Sequence, residues 1–145
     1  WEELPNDNED FLVVEGDVVC DDEIINNIIR GNNNVIACDS SCILDDEAMK
    51  YNLTGSNFIK KISKNIPLNQ SIGEVLGIVC FDAKKWPRFL KYSSDVYREN
   101  NDAFYEEVIN KNEIKFNVLD IYPHRWTEVD FPYEYKKARQ IFSDE

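Results

Sequence analysis

The chain has 145 residues, 43% of them hydrophobic, enough for one ordinary domain with a core of its own. Its 28 acids against 16 bases leave a formal charge of −12, which argues against a nucleic-acid partner, since a phosphate backbone is met by basic surface. No charged-then-apolar leader and no run of about 18 apolar residues occurs, so neither a signal peptide nor a membrane-spanning helix is expected within these residues.

Opening on Trp1, the chain is expected to be a processed product or a piece of a longer polypeptide. Residues 1–10 are polar and acidic and read as the end of a helix plus a loop. Phe11-Leu12-Val13-Val14 runs into Glu15-Gly16-Asp17, the pattern of a buried parallel strand that delivers an acid to the mouth of a sheet, where open α/β sheets bind ligands. From Asp21 to Gly31 the acids lead, Ile24, Ile25, Ile28 and Ile29 share a face, and Arg30-Gly31 closes, so an amphipathic helix is predicted. Val35 to Cys38 is a second buried strand after an Asn32-Asn33-Asn34 turn. This β-α-β order predicts one α/β domain over residues 1–145, with a mixed, mainly parallel sheet and flanking helices.

A hairpin is predicted next, from Met49 to Leu53 and from Phe58 to Ile62 around a Thr54–Asn57 turn. Ser71 to Gly77 leads into the buried strand Ile78–Phe81, with Gly73 and Gly77 free to allow close backbone approach. Asp82 heads a helix through Trp86, Phe89, Leu90 and Tyr97, with Pro87 in its first turn. A second helix spans about Ala103 to Asn110. Phe116 to Ile121 gives a last strand before Trp126-Thr127-Glu128-Val129-Asp130 and a final helix from Tyr133 to Phe142.

Cys20, Cys38, Cys42 and Cys80 match no zinc spacing, and the one histidine, His124, is remote from them. Reduced thiols of a cytoplasmic protein are the expectation, and the sequons at Asn52 and Asn69 are then chance matches. Asp17 and Asp130, far apart in sequence, are a candidate pair for one Mg²⁺, because hard cations take carboxylate oxygen. Taken alone, Asp17 also reads as a turn residue, and Asp130, just ahead of Pro132, as a helix N-cap. Lys60, Lys61 and Lys64 suit a solvated hairpin edge, with Lys64 the one assigned to a phosphate. Trp86, Tyr105, Tyr122 and Trp126 read as packing residues or as walls for a quaternary ammonium group. No serine or cysteine has a base near enough in sequence to act as a nucleophile.

Four stretches in this order resemble the sugar-phosphate and phosphocholine nucleotidyltransferase family: Glu15-Gly16-Asp17, Gly73-Glu74-Val75-Leu76-Gly77, Tyr105-Glu106-Glu107-Val108-Ile109 and Trp126-Thr127-Glu128-Val129-Asp130. The resemblance implies a Rossmann-like nucleotidyltransferase fold of which this chain is the C-terminal, acceptor- and metal-binding part. The family's opening strand and its glycine-rich nucleotide loop have no counterpart here, so that half is expected in the same or another chain. It further implies Mg²⁺-dependent transfer of a nucleotidyl group, CTP being the expected donor, to phosphocholine or aminoethylphosphonate, with Asp17, Lys64 and Asp130 catalytic. Glu74, Tyr105, Trp126 and Glu128 would contact substrate, and Glu128 would also orient the metal or its water. A sugar-1-phosphate nucleotidyltransferase is the nearer alternative, and a non-catalytic binding domain the alternative from another class.

Overall fold

The computed structural model describes residues 9–31, 34–111 and 113–143. The expected helix end before Glu9 and the first two residues of the Asn32–Asn34 turn lie outside them. In chain order the elements are β1 (Phe11–Val14), β2 (Val18–Cys20), α1 (Asp22–Arg30), β3 (Val35–Asp39), β4 (Lys50–Leu53), β5 (Ile59–Ile62), β6 (Gly73–Phe81), α2 (Trp86–Glu99), α3 (Tyr105–Lys111), β7 (Asn117–Asp120), β8 (Trp126–Glu128) and α4 (Pro132–Phe142).

The expected mixed α/β architecture with flanking helices is present, but the sheet is not mainly parallel. Its order is β5-β4-β6-β3-β7, and β1 also joins β6. Among the described residues only β3 and β7 pair in parallel, whereas β1, β3 and β4 all lie antiparallel to β6. β1 and β3 do run in the same direction, as a β-α-β unit requires, yet β6 inserts between them: Leu12 and Val35 both register on Cys80, Val13 and Ile36 both on Val79. A continuous apolar run signals burial on both faces and carries no information about the direction of its neighbours.

Alternation along these strands divides two apolar layers. Ile36, Cys38, Val79 and Phe81 pack on one face with Trp86 and Phe89 of α2 and Val108 and Ile109 of α3. Val35, Ala37, Leu76 and Ile78 pack on the other with Ile24 and Ile28 of α1. Aromatic rings fill the first layer, Phe81 lying 5.2 Å from Trp86 and 5.5 Å from Phe116 between centroids. Each such side chain removed from water contributes roughly 1.5–3 kcal/mol. In α1, Ile29 is 59% exposed, so the buried stripe is narrower than the sequence spacing predicts. Asp21, at the N-cap position, makes no side-chain cap; its carboxylate accepts from Arg125 instead.

β6 has the irregularity that shapes a cleft at the end of β1. Between Ile36–Val79 and Cys38–Val75 the register shifts, leaving Leu76, Gly77 and Ile78 opposite Ala37. Gly77 takes φ +71°, a conformation costly for residues with a Cβ.

Candidate active site

The site is assembled where β1 leaves the sheet. Glu15 N–H donates to the Gly77 carbonyl at 3.0 Å. The chain then turns through Gly16 and Asp17 into β2, which pairs antiparallel with β8 from Val18–Glu128 to Cys20–Trp126. Val129 N–H extends the ladder by donating to the Asp17 carbonyl at 2.9 Å, so Asp17 and Asp130 reach the same end of a two-stranded ribbon. Lys64 follows β5, where Ser63 N–H holds the Lys50 carbonyl at 2.8 Å. α3 is docked on β5 by Asn110, whose amide accepts from Ile62 N–H at 2.8 Å and donates to its carbonyl at 2.7 Å; this lays Phe104 and Glu106 over the opening.

The resulting cleft, about 230 Å³, gathers Asp17, Lys64, Glu74, Glu128 and Asp130, five of the seven residues singled out from the sequence. Glu15, Glu47, Phe104 and Glu106 line it as well. Seven carboxyl groups thus face one lysine. Burial, and then the charges of Glu106, Asp17 and Asp130, push the Glu15 carboxyl up to about 7. Burial, and then Glu74, Asp17, Glu15 and Asp130, push Glu128 up to about 7 also. Glu74 and Glu106 are raised, chiefly by burial. Lys64 is raised by its ion pair with Glu47 at 3.0 Å and more weakly by Glu128 and Asp130.

Among the described residues, no group of three or more histidine, cysteine or carboxylate side chains converges to hold a metal ion. The residues present nonetheless fit Mg²⁺, which is commonly held by one or two carboxylates together with water and substrate phosphates. Asp17 and Asp130 share the cleft, and Asp17 Oδ1 is buried without a hydrogen-bond partner. Asp130 is not the cap of α4, because Glu134 reaches back to the Asp130 and Phe131 amides at 2.8 and 3.0 Å.

Tyr105 and Trp126 are not brought into this cleft. The Tyr105 ring packs against the α2–α3 layer. Trp126 donates from Nε1 to Asp39 Oδ2 at 2.8 Å and lines an adjoining cleft of about 650 Å³ with His124 and Lys137. Glu74 and Glu128 belong to both clefts. Lys60 and Lys61 are exposed on β5, as a solvated edge predicts. Sequence reasoning missed Glu106, one residue from Tyr105, and Glu15, two before Asp17; that each is an acid inside a resembling stretch was the available signal.

No protein-family model matches the sequence, and no curated protein matches it. Solved structures do. A protein of Bacillus anthracis described as a glucose-1-phosphate thymidylyltransferase superposes with a TM-score of 0.70 at 16% identity, covering 96% of this chain and 56% of that one. The inositol-1-phosphate CTP transferase of T. maritima gives 0.59 at 17% identity, over 91% of this chain and 55% of its own. CTP:phosphocholine cytidylyltransferase of Streptococcus pneumoniae gives 0.61 at 14% identity, over 90% and 56%. The chain therefore has the mixed α/β fold found in these nucleotidyltransferases, and spans about half the length of the solved structures it matches.

Proposed function

We propose that the chain supplies the metal- and acceptor-binding side of a nucleotidyltransferase, moving a cytidylyl group from CTP to a small phosphorylated acceptor such as phosphocholine or aminoethylphosphonate. The observation that carries this reading is the meeting of Asp17, Asp130 and Lys64 in one cleft. An acceptor phosphate or phosphonate oxygen attacks the nucleotide α-phosphorus, and the bond to the departing pyrophosphate breaks. Such chemistry asks mainly for positioning and charge neutralisation. Asp17 and Asp130 would hold Mg²⁺, which when bound would supply positive charge against that of the nucleotide phosphates. Lys64 meets the acceptor phosphate, exchanging Glu47 for it, and Glu128 orients the neighbouring carboxylates. The nucleotide-reading part is assigned to residues outside this sequence, in the same or another chain. A sugar 1-phosphate acceptor is the second reading, favoured by the thymidylyltransferase likeness.

The test is pyrophosphate release by the intact polypeptide with CTP, Mg²⁺ and each acceptor. Asp17→Asn and Asp130→Asn should each remain folded and lose at least about 100-fold in turnover, since removing one of two carboxylates forfeits several kcal/mol of charge stabilisation. Near-normal turnover in either variant would sink the metal assignment.

A further inference from the structure

The cleft contains a buried carboxylate with one oxygen that meets no hydrogen-bond donor of the protein. Glu106 is 6% exposed, lines the cleft beside Phe104, and its Oε2 has no hydrogen-bond partner. The Tyr105 hydroxyl lies near it but outside hydrogen-bond geometry. Even turned toward the carboxylate, that hydroxyl would supply one donor to a group able to accept several. A buried carboxylate oxygen left unmet is costly, and Glu15 and Asp17 stand in the same cleft.

Resting on the transfer reading above, we propose that the acceptor carries an ammonium group with N–H bonds, a phosphorylated primary or secondary amine, and that Glu106 receives it. Two observations select N–H donors over a quaternary ammonium. A quaternary head group has no proton to give and is recognised by the faces of several aromatic rings. Phe104 is the one aromatic residue lining this cleft among the described residues, Tyr105 being packed in the core and Trp126 turned to Asp39. By contrast, a primary ammonium brings three donors to a wall of carboxylates. The phosphate of the same small molecule then faces Lys64 in the same 230 Å³ cleft.

The experiment is calorimetric binding of phosphoethanolamine and its N-methyl, N,N-dimethyl and N,N,N-trimethyl forms to the intact polypeptide with Mg²⁺. Affinity should fall at each methylation, by at least about tenfold across the series, as expected for loss of a charge-assisted hydrogen bond. Glu106→Gln should flatten the series to within about threefold. The wild-type series decides by itself if that variant does not fold. Equal or tighter binding of the trimethyl form overturns the proposal, as does a gradient that survives in Glu106→Gln. Binding of none of the four overturns it too, while turnover with a sugar 1-phosphate would then leave nucleotidyl transfer standing. A methylation gradient without pyrophosphate release from any nucleoside triphosphate supports the amine site and removes the transfer reading.

Discussion

Two groups of carboxylates lie close together in this fold and are treated in opposite ways. Behind β8, Asp21 accepts from Arg125 Nε at 3.0 Å, from Nη2 at 2.7 Å and from the Arg125 backbone N–H at 2.7 Å. Asp39 accepts from the Ser41 amide and hydroxyl, each at 2.7 Å, and from the Trp126 indole at 2.8 Å. Hydrogen bonds from Arg125 hold the Asp21 carboxyl below its usual range. At Asp39 burial pushes upward and is outweighed by Ser41 and Trp126. In the cleft, Glu15, Glu74, Glu106 and Glu128 are all raised, with burial first among the causes. Asp21 and Asp39 receive enough donors from the protein to hold their charge, whereas the seven cleft acids share one lysine, an imbalance that the proposed cationic ligands would relieve.

The widest separation between the two groups is expected in what their removal does. Asp17→Asn and Asp130→Asn remove turnover and leave the fold. Asp21→Asn should do the reverse, lowering stability by about 1–3 kcal/mol through the loss of charge-assisted hydrogen bonds to Arg125, read as a lower melting temperature. The pH dependence carries the same contrast. Glu15 and Glu128 keep their protons up to about 7 in the fold against 4.5 ordinarily. The unfolded chain therefore releases these protons first, and stability falls as pH rises from about 4.5 to 7. Asp21 and Asp39, lowered from 3.8, contribute stability that is present above 3.8 and lost as pH falls through their folded values. The melting temperature should rise on acidification from pH 8 toward 5 and fall below about pH 4, the acid limb being shallower in Asp21→Asn. A profile rising monotonically from pH 4 to 8 would contradict the cleft electrostatics.

A smaller effect is expected at Gly77→Ala, which sharpens the link between backbone and cleft. The positive φ costs about 1–2 kcal/mol for a residue with a Cβ. That Cβ would also stand 2.6 Å from the Glu15 Cδ, so Glu15 must move. Lower melting together with weaker binding of cationic ligands is the expected pair of results; lower melting with unchanged binding would separate Glu15 from the site.

Most of the elements, and both aspartates of the proposed metal site, were legible in the sequence. A strand-end Gly-Asp and an acid just before a proline-started helix are local patterns, and α1, the β4–β5 hairpin, α2 and the strands Val35–Asp39 and Asn117–Asp120 follow from periodicity alone. What was not legible depends on distant partners. The antiparallel insertion of β6 between β1 and β3 depends on strand neighbours that an apolar run does not specify. Asp21 sits at the N-cap of α1, but its side chain does not cap the helix, because Arg125, 104 residues away, binds the carboxylate. Glu106, rather than Tyr105, reaches the cleft because Asn110 clamps α3 onto Ile62, which fixes the rotation of a seven-residue helix.

The central claim, that the cleft acids receive cations while the acids behind β8 hold the framework, is tested most directly by titrating Mn²⁺ into the intact polypeptide and following paramagnetic broadening of its amide resonances. The strongest broadening should fall on Gly16–Val18 and Val129–Phe131, with weaker effects at Asp21 and Ser41, and should vanish in Asp17→Asn. Broadening centred on Asp21 or Asp39, or persisting unchanged in Asp17→Asn, would contradict it.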